Sequence, residues 1–132
     1  WFLDLPNRYP KVDWYFQGTQ CVSLINIADY QKTSNWLRSK LKTVHFNIVD
    51  HPNHYRMTNL PDYLKSKIVD TIEDEDIKNY LTIETANLKD LQRMIVWTKR
   101  QDRYRKQDYS KAFPNTFELL KPYWGMVNNL HE

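Results

Sequence analysis

Apolar and polar positions change period several times along the chain, and each change marks an element. After a loop-like opening punctuated by Pro6 and Pro10, residues 14–16 and 21–27 read as β-rich pieces on either side of Gly18-Thr19. The second piece, CVSLINI, carries Val22, Leu24, Ile25 and Ile27 in a nearly unbroken apolar run. That is the pattern of a strand covered on both faces, as in a parallel sheet. Asp29 follows as a candidate helix cap. Tyr30, Thr33, Trp36-Leu37 and Leu41 then recur at helical spacing over residues 30–41. Alternation returns in TVHFNIV, residues 43–49, with Val44, Phe46 and Ile48 out of phase with His45, Asn47 and Val49. Strand, helix and strand in this order predict that Val22–Asn26 and Val44–Ile48 lie side by side and parallel, with the helix packed over one face.

The second half reads as helical. Asn59-Leu60-Pro61 opens a helix, because proline lacks only an N–H that has no partner in the first turn. Leu64, Ile68, Val69 and Ile72 form its apolar stripe, and the run Glu73-Asp74-Glu75-Asp76 stops it, since acidic charge is unfavourable at a helix C-terminus. Residues 87–107 form a third helix, capped by Asn87, with Leu88, Leu91, Met94 and Ile95 inward. Pro114 interrupts, and Phe117, Leu119-Leu120 and Tyr123-Trp124 close the chain. The fold class is α/β, with parallel strands in residues 1–85 and a helical extension in residues 86–132.

Composition narrows the function. The chain has 132 residues, enough for one domain or part of a larger one, and its opening WFLDLPNRYP reads like the middle of a chain. The only glycines, Gly18 and Gly125, leave no room for a GxGxxG or GxxxxGK[ST] phosphate loop. The single cysteine, Cys21, can make no internal disulfide and reads as a small buried hydrophobe. With no membrane-length apolar run, these features place the protein in the reducing cytoplasm.

Candidate chemistry gathers in FNIVDHPNHYRMTNLP, residues 46–61. His51 and His54 with Asp50 resemble a metal set, but Pro52 breaks helical spacing and a His pair supplies too few ligands. The stronger reading places Asn47, Asp50 and His51 on the rim of a pocket where a strand ends, with Asn26 and Asp29 in the matching place after the preceding strand. Asn26 can equally satisfy loose backbone groups there. Arg100, Arg103, Arg105 and Lys106 with Tyr104 and Tyr109 make a basic-aromatic stretch over residues 97–109, but Asp102 and Asp108 interrupt the charge. With a net charge of only +3, a solvated helix face is the default, and nucleic acid is disfavoured as a partner. The tryptophans Trp1, Trp14, Trp36, Trp97 and Trp124 read as core or interface anchors.

In their order, CVSLINIADYQKTSNWL, NIVDHPNHYRMTNLPDYLKSKI and DRYRKQDYSKAFPNTFELL resemble the late strand–helix units and closing stretch of phage and environmental radical SAM proteins with a twitch-type C-terminal extension. The resemblance implies the C-terminal part of a partial (β/α) barrel. It also implies an enzyme that binds a [4Fe–4S] cluster through CxxxCxxC and cleaves S-adenosylmethionine to a radical. That motif is not in this chain, so the resemblance implies a substrate-side part that is inactive alone and binds neither cofactor by itself. Asn26 falls near the adenosine of S-adenosylmethionine. Asn47, Asp50, His51 and Arg103 fall on the side of an unidentified peptide or small-molecule substrate. The alternative is a non-enzymatic binding module that uses the basic-aromatic stretch for a protein or nucleic-acid partner.

Overall fold

In a computed structural model, which describes residues 1–127, the chain forms a mixed α/β fold around a two-stranded parallel sheet. A short helix α1 (Leu5–Arg8) precedes strand β1 (Gln17–Val22), helix α2 (Tyr30–Lys40) and strand β2 (Thr43–Ile48). Five helices follow: α3 (Asp62–Ile68), α4 (Glu75–Thr82), α5 (Leu88–Arg105), α6 (Tyr109–Ala112) and α7 (Pro114–Trp124). Among the described residues no helix is long and apolar enough to cross a membrane.

The strands pair in parallel with Gln17 opposite Thr43 and Val22 opposite Ile48, and α2 is the crossover between them. The parallel pair and its helix are as the pattern predicts, but β1 is displaced towards the N-terminus. Residues 14–16 are not a strand, and 23–29 form turns rather than the second half of one. The cause is local. Asn26 Oδ1 accepts from the Ser23 N–H at 2.9 Å, and its Nδ2 donates to the Cys21 carbonyl at 2.8 Å, which folds the chain back on itself as β1 ends. Leu24 and Ile27 are fully buried all the same, so the apolar run is core without being strand.

One face of the sheet joins the core. Val22 is buried, Phe46 and Ile48 pack against the same cluster, and Gln20 donates to the Tyr30 carbonyl at 3.1 Å. Gly18 sits under the end of α2, where a Cβ would lie only 2.9 Å from Leu41. Its absent side chain lets the helix close on the strand. Helix α2 itself buries Tyr30 and Ser34. Thr33 and Trp36, placed on its inner stripe by spacing, are exposed.

The acidic run both stops one helix and starts another. Asp74 caps α4 by accepting from the Asp76 and Ile77 N–H groups, and Glu75 and Asp76 lie in the first turn, where the helix dipole favours them. Asn87 caps α5 as its position predicts, accepting from Lys89 and Asp90. Leu91, Met94 and Ile95 are fully buried, but Leu88 is exposed. The core is one cluster. It runs from Val22 and Leu24 through Leu64, Ile77 and Leu81 to Leu91, Ile95 and Leu120, across the point between residues 85 and 86.

Asp29 is the N-cap residue of α2, yet its side chain makes no bond to that helix. It serves α7 instead. Its Oδ1 accepts from the backbone N–H and the side-chain amide of Asn115, at 3.2 and 2.9 Å. Oδ2 accepts from the N–H and hydroxyl of Thr116, at 2.8 and 2.7 Å. Thr116 Oγ1 in turn accepts from the Ala28 N–H at 3.1 Å. Asp29→Ala is expected to destabilise the chain by about 2–4 kcal/mol, the range for removing a buried charged acceptor from its donors. Urea unfolding followed by circular dichroism measures it, and a loss below about 1 kcal/mol would show that α7 does not depend on this carboxylate.

Candidate functional site

Two features stand out where the strands present polar side chains. The first is the sheet face opposite α2. Alternation puts Gln17, Thr19, Cys21, His45 and Asn47 on that side, and all are exposed. In the parallel register Thr19 lies opposite His45, and Cys21 opposite Asn47. Cys21 is therefore a surface thiol and not the buried hydrophobe that its apolar neighbours suggest.

The second feature is the loop after β2. Both strands end at the same side of the sheet, and the Val49 N–H continues the pairing by donating to the Val22 carbonyl at 2.9 Å. The loop then carries Asp50 and His51 into a cis peptide at Pro52 and a tight turn at Asn53–Tyr55. The Leu24 N–H donates to the Tyr55 carbonyl at 2.8 Å, which ties this loop to the turn after β1.

Asp50 is the centre of a charged network. It accepts from the Tyr80 hydroxyl of α4 in a short hydrogen bond, and Arg56 Nε lies 2.9 Å from its Oδ1. The other end of the Arg56 guanidinium reaches Glu84 at 3.0 Å. The Tyr80 hydroxyl bond, with Arg56 and His51 nearby, holds the Asp50 carboxyl below the usual carboxylate range, while burial and then the Asp50 bond push the Tyr80 phenol up. Asp50 is thus an ionised acceptor held in one orientation, and the network has more acceptor than donor capacity left for a ligand. The strand end points to Asp50, but no local pattern points to Arg56, Tyr80 or Glu84. Tyr80 lies in a helix hidden by the acidic run, 30 residues further along the chain.

The other predicted residues are dispersed. Asn26 uses both ends of its amide on the turn after β1. One N–H and one lone pair remain for a ligand. Asn47 stands on the open sheet face, and His51 is exposed beside Asp50. Arg103 is on α5, lining a separate open recess with Tyr104 and Arg105. His54 packs against α5. It stacks on Trp97 of α5 with ring centroids 6.3 Å apart and planes 13° from parallel, and burial, with Arg93 nearby, lowers its pKa. Among the described residues no group of three or more His, Cys, Asp or Glu side chains is placed to hold a metal.

No known protein family, curated protein or solved structure matches this chain.

Two outcomes check this geometry. In the isolated chain Cys21 should react with a maleimide at nearly the rate seen in urea, because nothing among the described residues covers its face; strong protection in the native state would contradict the open face. In a carboxyl-detected NMR titration, Asp50 should ionise below the ordinary value of about 3.9, and Tyr80→Phe should move the midpoint up. Because the folded pKa is depressed, the contribution of this network to stability is present above the unfolded value and lost as pH falls through the folded one.

Proposed function

We propose that this chain is the substrate-side C-terminal part of a radical SAM-like enzyme, built on the last units of a partial (β/α) barrel. The supporting observation is the asymmetry of its sheet. A parallel strand–helix–strand unit carries its helix on one face, while the other face presents Thr19, Cys21, His45 and Asn47 uncovered. Among the described residues no further strand pairs with either edge. In a barrel the helices lie outside and the opposite face looks into the interior. A polar interior face with open edges suits a unit that continues into further strands and lines a cavity for a polar substrate.

In this reading Asn47 reaches the substrate from the sheet and Asp50 and His51 from the rim. Arg56 and Tyr80 hold Asp50 in position. Asn26 shapes the adenosine side of the rim, offering the remaining valences of an amide already bonded to its own turn. Arg103 serves the same enzyme from the helical extension. The chain's residues do not fit the cluster: Cys21 is the only thiol, and a cluster needs three or four. Its ligands belong to another part of the enzyme, and no step of radical chemistry is derived for the residues described here.

The test is the full reading frame that contains this chain. It should encode CxxxCxxC upstream of Trp1. The protein expressed from it and reconstituted anaerobically with iron and sulfide should cleave S-adenosylmethionine to 5′-deoxyadenosine, and Asn47→Ala should lower substrate turnover more than this cleavage. The present chain alone should show no cluster absorbance. A full frame lacking the three cysteines, or a full protein that leaves S-adenosylmethionine intact, would overturn the proposal.

A further inference from the structure

Helix α5 has two unlike faces. Leu91, Met94, Ile95 and Thr98 are buried. On the opposite side Arg93, Trp97, Arg100 and Tyr104 are all exposed, at the four- and three-residue steps that align side chains along one face. Cations and aromatic rings alternate along about 16 Å of helix. The Arg100 guanidinium lies over the Trp97 ring, 5.6 Å from its centroid, and His54 stacks on the same residue. At the end of the row Tyr104 is 88% exposed, a large ring with little protein against it. Arg103, Tyr104 and Arg105 line an open recess of about 660 Å³, and Lys106 is exposed just beyond.

Two acidic residues interrupt this stretch in sequence, but the fold commits both to the next element. The Asp102 carboxylate accepts from the Tyr109 N–H at 2.8 Å. Asp108 caps α6, accepting from the Ser110 N–H and hydroxyl at 3.0 and 2.6 Å. Asp90 contacts Arg93 only at 3.8 Å. Asp102 and Asp108 keep their negative charge, but the exposed cations Arg93, Arg100, Arg103, Arg105 and Lys106 outnumber them, and the face combines net positive charge with the open Tyr104 ring.

We propose that the exposed face of α5 binds single-stranded nucleic acid, with Tyr104 stacking on a base and Arg93, Arg103, Arg105 and Lys106 meeting the phosphates. The occupant follows from complementarity. A flexible polyanion with a flat ring at each unit matches alternating cations and aromatics, and stacking tolerates any base sequence. An acidic peptide would satisfy the charges and leave the rings unused. This inference does not depend on the radical SAM reading.

The experiment is fluorescence anisotropy of a labelled oligothymidylate titrated with the chain at low salt. Binding should weaken with salt along a log–log slope of about −2 to −3, from roughly 0.7 per phosphate and three or four cations. Tyr104→Ala should weaken it about 5- to 150-fold, the range for losing one stacked base, and Trp97→Ala should weaken it too, because Arg100 loses the ring it rests on. Tyr104 is so exposed that its replacement leaves the fold intact, which keeps the test valid should Trp97→Ala unfold the chain. Failure to bind at low salt would overturn the proposal. So would binding that polyglutamate displaces equally well, or that both alanine variants leave unchanged, because the face would then read charge alone.

Discussion

The carboxylate of Asp29 is the constraint on which the two halves of the structure converge. A helix start leaves backbone N–H groups without partners, and α7 receives its acceptor from a residue 86 positions earlier rather than from its own cap. The bond acts in both directions. It anchors α7, and through Thr116 Oγ1 and the Ala28 N–H it also fixes the turn from which α2 departs. The Tyr109 hydroxyl adds a second tie by donating to the Ile25 carbonyl of that turn. Burial pushes the Tyr109 phenol far up, so it stays a donor. Its ring stacks on Trp124, 5.1 Å between centroids and 2° from parallel. The C-terminal helices thus act as the clamp that holds the end of β1 in place.

This clamp explains why the sequence is informative about elements and misleading about one of their boundaries. Helices α3 and α5 were legible because apolar spacing, and in α5 the Asn87 cap, act within a few residues. The segment VSLINI was not, because its hydrophobicity serves a turn held from outside. The residues that hold it from outside, Tyr109 and Thr116, are distant in sequence, and Asp29 joins the turn to them. A run of apolar residues reports burial, and it becomes a strand only if its backbone groups find a ladder. Here Asn26 supplies those bonds instead. Helix α4 was masked for a related reason. Acidic residues that end one helix also begin another, and the sign of the dipole interaction depends on which helix is counted.

The same distinction separates the legible part of the candidate site from the rest. Asp50 and Asn47 could be singled out because a strand end and a strand face follow from alternation. Arg56, Tyr80 and Glu84 depend on how α4 docks beside the loop after β2, and no local pattern encodes that docking. Asp102 and Asp108 show the same division between composition and fold. Composition counts their charge, but the fold engages both in the turn between α5 and α6.

Polar residues on the bare sheet face bring these strands into a sharper question of stability. Parallel sheets are ordinarily covered on both faces and contain more than two strands, because each open edge leaves a row of backbone groups to water. Here α2 covers one face, and the opposite face carries Thr19, Cys21, His45 and Asn47. Such a pair cannot derive its stability from the ladder alone. It rests on the core beneath Val22, Phe46 and Ile48 and on the tie from Asp29 to α7. A sheet supported from one side leaves its other face available. The polar side chains there are compatible with water, and equally with a cavity closed by further strands.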